Sequence, residues 1–156
     1  WMAGAFLADG NVISPDHDGS AEWNIFSDPE SARKLVHSGI KIILFPLDAC
    51  NLIPIDDYLL YSLKKNSKKI LSSLVHDMFL LSLDSHKKYY MWDVLPALYL
   101  DRPEIAHLID TSADIEIRGT SMGSIFKTSK GKPLRYANAI DEELFLKRFI
   151  KRLKKF

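Results

Sequence analysis

The sequence predicts an α/β protein. Residues 28–39 carry the start and stop signals of a helix, and a segment at 41–46 whose residues 42–46 are all apolar follows at once. Apolar residues in that run do not alternate with polar ones, which is typical of a strand buried on both faces, as in a parallel sheet. A helix followed directly by a buried strand favours layered α/β packing.

Local signals place the other elements. Residues 1–27, rich in Gly, Asp, Asn and Ser, predict a short buried strand and then a long loop. Asp28 is the expected N-cap of the first helix, with Pro29 as its first residue and Gly39 just past its end. The elements expected downstream are helices at 55–63, 68–83, 90–100 and 141–154, a strand at 114–118, and a turn-rich extended segment at 121–135 with room for a hairpin.

Composition limits the classes of protein that need to be considered. The chain has 156 residues, of which 47% are hydrophobic and 26% charged, so we expect one globular domain over residues 1–156. A net charge of +1 gives no reason to expect nucleic acid as a partner. No apolar run approaches the ~20 residues of a membrane span, and we expect a cytoplasmic protein with no membrane contact.

Most common catalytic signatures are absent from the sequence. It contains no P-loop, GxGxxG or HExxH motif, and residues 119–123 (Gly-Thr-Ser-Met-Gly), which have the GxSxG spacing, are expected to form a glycine-bearing turn. Its five histidines are dispersed without ligand spacing, and we expect each to lie on the surface or partly buried. Cys50, the only cysteine, excludes an internal disulfide and is expected to be a small buried hydrophobe.

Residues 10–24 carry the densest polar set, namely Asn11, Asp16, Asp18, Glu22 and Asn24. Amides and carboxylates together donate to and accept from hydroxyl groups, which sugar recognition requires. In an extended segment, Glu22 and Asn24 would face one side and Trp23 the other. A solvated acidic loop is the alternative, whereas the spacing does not fit a calcium loop of the EF-hand type.

A second candidate lies at residues 89–93, Tyr-Tyr-Met-Trp-Asp, where a helix is expected to begin. An Asp at a helix start is most often a cap, and a Trp is most often part of the core. The alternative is functional: Trp92 is a stacking surface for a base, and Asp93 beside it is a metal ligand.

Short segments distributed along the chain carry a family resemblance. They are Met2-Ala-Gly4, Gly10-Asn11, Ala21-Glu-Trp-Asn-Ile-Phe26 followed by Asp28-Pro29, Leu47-Asp48, Trp92-Asp93 and Ala137-Asn-Ala-Ile-Asp141. In this order they resemble the nucleoside hydrolases (nucleoside N-ribohydrolases), and specifically the C-terminal half of that family's domain. The Trp-Asp pair is most similar to the purine-specific branch, because the inosine-uridine branch usually has His-Asp there.

The resemblance implies a fold, a reaction and a site. The implied fold is an open, mostly parallel, Rossmann-like sheet with a cleft at the carboxyl ends of its strands. The implied reaction is calcium-dependent hydrolysis of the N-glycosidic bond of a purine ribonucleoside to ribose and free base. The implied site residues are Asn11, Glu22 and Asn24 at the ribose, Met2 near the sugar and base, Trp92 against the purine, and Asp93 on Ca²⁺. We expect the two stretches to meet in one cleft.

The sequence also departs from the family pattern. The family's Asp-x-Asp-x-Gly-x-Asp-Asp cluster, which supplies most calcium ligands and the catalytic base, does not occur here, so no catalytic residue is assigned. Calcium takes about 6–8 oxygen ligands, so Asp93 alone cannot build its site.

We expect little or no turnover from the isolated chain, and a homo-oligomer only if the full domain is present. The alternatives are an inactive truncated hydrolase and a non-enzymatic α/β interaction module.

Overall fold

A computed structural model describes residues 1–86 and 88–154. The chain divides into two compact units, one formed by Trp1–Cys50 with Ala106–Ala139 and the other by Asn51–Ile105 with Ile140–Phe156. The single domain expected over residues 1–156 stays a prediction. No helix in the described ranges is long and apolar enough to cross a membrane.

The first unit contains a four-stranded sheet with short helices. Its elements are α1 (Trp23–Ser27), α2 (Pro29–His37), β1 (Ile43–Leu44), α3 (Leu47–Cys50), β2 (Ala106–Ile115), β3 (Ile125–Lys127) and β4 (Lys132–Ile140). The strand order is β1-β4-β2-β3. β1 pairs with β4 in parallel, and β2 pairs with β3 antiparallel, so the part of the sheet with assigned pairings contains both orientations. The predicted α/β class is confirmed.

Helix α2 follows the local signals closely. The Asp28 side chain accepts a hydrogen bond from the Ser31 backbone N–H at 3.0 Å, and Pro29 is the first helical residue. Gly39, just after the C-cap, has φ +80°, a conformation that glycine adopts without a Cβ penalty. Ala32 and Val36 face the core that the sheet also lines. The prediction for this helix is therefore confirmed.

The expected strands lie partly elsewhere. Only Ile43 and Leu44 of the apolar run form a strand, while the next residue, Phe45, makes an isolated parallel bridge with Met2. Strand β2 starts at residue 106 instead of the predicted 114. The prediction misses residues 106–112 because they mix polar and apolar side chains without clear alternation. The turn-rich segment at 121–135 does not form a hairpin of its own, because its strand β3 pairs through Ile125 with Ile115 of β2, which lies outside the segment.

The second unit is mainly helical. Its helices are α4 (Asp57–Lys65), α5 (Ile70–Ser85), α6 (Val94–Asp101) and α7 (Glu142–Leu153), with a 3₁₀ turn at Pro103–Ile105. The four predicted helices are present, and Asp141 caps α7 through the Leu144 N–H at 2.9 Å. Helix α6 begins four residues later than predicted, because residues 89–91 are extended and hydrogen-bond to residues 53–55.

Candidate functional site

Glu22 is at the centre of the polar set in the first unit. It is 2% exposed, and its carboxylate accepts hydrogen bonds from the backbone N–H groups of Gly4 and Asn24, each at 3.0 Å. The expected extended arrangement around Trp23 is wrong, because Glu22 is the N-cap of α1 and Asn24 lies in that helix's first turn. Glu is not a preferred N-cap residue, so local signals do not reveal this helix.

Asn24 joins the segment that contains Met2. Its Nδ2 donates to the Met2 carbonyl oxygen at 3.1 Å and lies 3.3 Å from the Met2 sulfur. Within the described ranges no group donates to the Asn24 side-chain oxygen, and the residue is exposed. This oxygen is therefore available as an acceptor for a hydroxyl group of a ligand.

Asn11 lies against the start of the same helix. Its Oδ1 accepts the Trp23 backbone N–H at 2.8 Å, and its own backbone N–H donates to the Ala21 carbonyl oxygen at 3.0 Å. The structure thus brings the three residues implied for ribose binding and Met2 into one connected set, with Met2, Glu22 and Asn24 hydrogen-bonded directly and Asn11 attached through α1.

The loop between Asn11 and Glu22 is held by side chains that the sequence suggests are solvated. The His17 Nε2 donates to the Met122 carbonyl oxygen, because a carbonyl oxygen only accepts, and its Nδ1 accepts from the Gly19 N–H, both at 2.9 Å. The His17 side chain is only 4% exposed. The contact with Met122 spans 105 residues, and no local signal indicates it.

Asp18 ties the loop to the same distant turn. Its backbone N–H donates to the Thr120 carbonyl oxygen, and its carboxylate accepts from the Ser121 and Ser20 hydroxyl groups. Hydrogen bonds from Ser121 first, and then from Ser20, lower the pKa of Asp18 to about 2. The carboxylate is thus charged throughout the neutral range and accepts both bonds.

Asp48 holds the chain that follows the Met2-Ala-Gly4 segment. Its carboxylate accepts backbone N–H groups from Phe6 at 2.8 Å, Leu7 at 2.7 Å and Ala8 at 3.2 Å. A carboxylate with three backbone donors fixes the local path of the chain. Asp48 belongs to the resemblance without an assigned role, and the structure gives it this supporting one.

Trp92 in the second unit contacts Asn51, Tyr89 and Tyr90. Its indole Nε1–H donates to the Asn51 side-chain oxygen at 3.0 Å. The Tyr89 ring lies 4.8 Å from it, centroid to centroid, at 62°, and the Tyr90 ring lies at 5.6 Å and 42°. The residue is half-buried and does not belong to the fully buried core. The sequence indicates Trp92 but not Asn51, which lies 41 residues away.

Asp93 is the N-cap residue of α6 by position, yet its side chain makes no capping hydrogen bond. The carboxylate is exposed, and no hydrogen bond or ion pair joins it to residues 1–86 or 88–154. The same part of the chain contains no group of three His, Cys, Asp or Glu side chains able to hold a metal ion. These residues therefore do not fit a complete calcium site, although Asp93 is free to supply one ligand.

The fold and these residues define an α/β protein with an amide-and-carboxylate set in one unit and an oriented indole beside an open carboxylate in the other. The family model for inosine-uridine preferring nucleoside hydrolases matches residues 1–147, and the chain belongs to this family. The predicted family is therefore confirmed. Its members are ribonucleoside hydrolases, a class of glycosidase that uses a metal ion.

Individual relatives agree with this assignment. The non-specific ribonucleoside hydrolase RihC of Klebsiella pneumoniae is 31% identical over 123 residues, which are 77% of this chain and 40% of that protein. The crystal structure of an inosine-uridine preferring nucleoside hydrolase from Bacillus anthracis superposes with a TM-score of 0.91 at 30% identity, covering 100% of this chain and 50% of that one.

A more distant structure shows the same fold. The purine-preferring ribonucleoside hydrolase from Gardnerella vaginalis has a TM-score of 0.75 at 17% identity, and this likeness concerns the fold alone. It covers 99% of this chain and 51% of that one. The chain thus spans about half the length of these solved relatives.

Proposed function

We propose that this chain forms the ribose- and base-binding part of a purine ribonucleoside hydrolase. The observation that carries the proposal is the hydrogen-bonded set of Met2, Glu22 and Asn24, to which Asn11 is attached through α1. Four residues that are scattered over the first 24 positions present two amides and one carboxylate from a single local framework.

The reaction suits these groups. Water adds its oxygen to the anomeric carbon as the carbon–nitrogen bond breaks, and the bonding electron pair leaves with the base, which takes up a proton. The ribose carries positive charge in the oxocarbenium-like transition state. The negative carboxylate of Glu22 and the amide oxygen of Asn24 favour that charge while they hold ribose hydroxyl groups. No residue of this chain is assigned as the catalytic base.

Trp92 is the proposed surface for the purine. An aromatic ring stacked on a base contributes about 1–3 kcal/mol in nucleic-acid complexes. A purine offers two fused rings to an indole, whereas a pyrimidine offers one, so a stacking site favours the larger base. The Trp-Asp pair therefore supports a preference for purine nucleosides within this family.

Asp93 is proposed as one ligand of a calcium ion. Its support is chemical: calcium prefers carboxylate oxygens, and this exposed carboxylate does not cap its helix. About 6–8 oxygens are required, so Asp93 alone does not complete the site. The solved relatives are about twice as long as this chain, which supports its assignment as the C-terminal half of the domain.

A chimera tests the activity most directly. Residues 1–156 replace the equivalent half of the Bacillus anthracis enzyme, and release of base from inosine and uridine is measured with and without calcium. We expect calcium-dependent hydrolysis with a higher kcat/KM for inosine, and loss of most activity in the Glu22→Gln chimera. A folded chimera that hydrolyses neither nucleoside would contradict the proposal.

A non-enzymatic interaction module is the second candidate, and helix α5 favours it. Its exposed apolar side chains recur at helical spacing on Ile70, Leu74, Met78 and Leu81, and each is more than half exposed. An apolar stripe of this kind is typical of a surface that another protein covers. This candidate predicts that the chain binds no nucleoside, so inosine would leave its tryptophan fluorescence unchanged.

A further inference from the structure

We propose that Asn51 is a positioning residue that orients the indole of Trp92 and, through it, the purine. This inference rests on the proposed function, because it assigns Trp92 to the base. Asn51 belongs to none of the segments that carry the family resemblance. Its involvement follows from the contact between the two side chains.

The direction of the hydrogen bond is unambiguous. An indole Nε1–H only donates, so the Asn51 atom at 3.0 Å from it is the side-chain oxygen. The amide orientation is thereby fixed, and its NH₂ group points away from the indole nitrogen. One rotamer of Asn51 is consequently matched to one orientation of the Trp92 ring.

The backbone brings the two residues together independently of this bond. Residues 53–55 and 89–91 pair antiparallel: the Met91 N–H donates to the Ile53 carbonyl oxygen, and the Ile55 N–H donates to the Tyr89 carbonyl oxygen, both at 2.9 Å. Asn51 and Trp92 lie just beyond the same end of this pairing. A substitution of Asn51 is thus expected to leave the backbone in place and to affect mainly the ring.

The neighbouring rings limit the movement of the Trp92 indole but do not fix the direction in which its Nε1–H points. Tyr89 meets it at 62° and Tyr90 at 42°, so both pack on it through apolar contact. A half-turn of the indole about its bond to Cβ would keep much of this contact but move the N–H to another edge. The acceptor at Asn51 selects one of these orientations before the base arrives, which lowers the cost of ordering the ring on binding.

Three variants separate orientation from general stability. Asn51→Leu removes the acceptor at similar volume, and Asn51→Asp keeps an acceptor oxygen at the same place. Asn138→Leu is the matched control, since it makes the same chemical change at another asparagine whose side-chain oxygen has one hydrogen bond, to His107. All three are made in the full chain of 156 residues.

Two measurements are made on each variant. Nuclear magnetic resonance follows hydrogen exchange of the three indole N–H groups, with the Trp92 signal assigned by its loss in Trp92→Phe. Fluorescence quenching then gives the Kd for inosine, with ribose as the ligand that lacks a base. We expect Asn51→Leu to speed exchange at Trp92 and to weaken inosine binding about three- to tenfold, as the loss of one hydrogen bond predicts. Ribose binding should not change, and Asn51→Asp and Asn138→Leu should resemble the unsubstituted chain.

The outcomes distinguish the two hypotheses. Equal inosine affinity in Asn51→Leu and Asn51→Asp would overturn the positioning role, as would unchanged indole exchange in Asn51→Leu. An unsubstituted chain that exchanges slowly at Trp92 but binds no inosine would overturn the proposed function and, with it, the link to the purine. The exchange measurement alone would still decide whether Asn51 orients the ring.

Discussion

The carboxylate of Glu22 accepts the backbone N–H of Gly4 at 3.0 Å, and both residues are buried. Gly4 has φ +78°, and a Cβ there would lie 2.6 Å from the Cγ2 atom of Ile125. The candidate ribose-binding set therefore depends on a backbone conformation and a close approach that only glycine allows.

Replacement of Gly4 by alanine should destabilise the chain. A left-handed conformation costs an L-residue about 1–2 kcal/mol, and overpacking against Ile125 adds about 1–3 kcal/mol. Gly39→Ala is the matched control, since Gly39 has φ +80° and a Cβ added to it would meet no atom within 4 Å. Urea denaturation should show a clearly larger loss of unfolding free energy for Gly4→Ala, and equal losses would contradict the close-approach argument.

Exchange of Glu22 for glutamine tests the carboxylate. The Gln amide NH₂ would face one of the two backbone N–H donors, leaving a buried donor without an acceptor, at a cost of about 1–3 kcal/mol. Inosine affinity should fall about tenfold or more, because the same side chain is assigned to the ribose and its charge is lost. Glu30→Gln, at an exposed carboxylate in the first turn of α2, should leave both quantities nearly unchanged. Calorimetry with inosine and thermal unfolding are the two measurements.

Acid should weaken the contact between α2 and β2. The Asp114 carboxylate accepts from the Arg33 guanidinium at 3.0 and 3.3 Å and from the His37 Nε2 at 3.0 Å. The hydrogen bonds from Arg33 are the largest cause that holds the pKa of Asp114 well below its usual range. Because the pKa of Asp114 is lower in the folded chain than in the unfolded one, this carboxylate stabilises the folded chain above its unfolded pKa of about 3.9. The stabilisation is lost as the pH falls further.

Asp114→Asn should therefore reduce both stability and its pH dependence. We expect a loss of about 1.5–3 kcal/mol at pH 7, as for a hydrogen bond to a charged group, and a shallower decline than the parent between about pH 4 and pH 2. Asp110→Asn is the control, because Asp110 is 92% exposed and its nearest Arg135 nitrogen is at 3.7 Å. A parallel pH profile for Asp114→Asn and the parent would rule out this account.

Removal of the Ser121 hydroxyl group should raise the pKa of Asp18. Hydrogen bonding to Ser121 is the first cause of its low value of about 2, and Ser20 supplies the next. These hydrogen bonds favour the ionised form of Asp18. Their contribution to the stability of the folded chain is therefore present above the unfolded pKa and disappears as the pH falls through about 2. Nuclear magnetic resonance of the Asp18 carboxyl carbon should show a higher midpoint in Ser121→Ala, and Ser129→Ala should leave it unchanged.

The sequence predicts those features whose causes lie within a few residues. The starts of α2 at Asp28 and of α7 at Asp141 are predictable because a cap, a first-turn residue and an apolar stripe follow one another locally. The short helix after Glu22 is not, since its cap is an unusual residue whose second hydrogen bond goes to Gly4. The early start of strand β2 escapes prediction for a related reason: its neighbours in the sheet determine where it begins, and its own alternation is weak.

The candidate site follows the same division. Its residue types are visible in the sequence, and Met2, Asn11, Glu22 and Asn24, the candidate residues for the sugar, do form one connected set. Their supports are not visible, because Asp48, His17 and Asn51 act on residues 40 to 105 positions away. Tertiary packing brings such partners together. Because contacts between residues far apart in the chain leave no local pattern, a single sequence does not reveal them.

Cys50 is the sole thiol of the chain and is fully buried at the end of α3. A disulfide-exchange reagent added to the native protein would therefore meet no accessible thiol until the structure around Cys50 opens. The rate at which the Cys50 thiol is modified therefore reports the rate or extent of that opening, and it is measured without engineering a label into the chain.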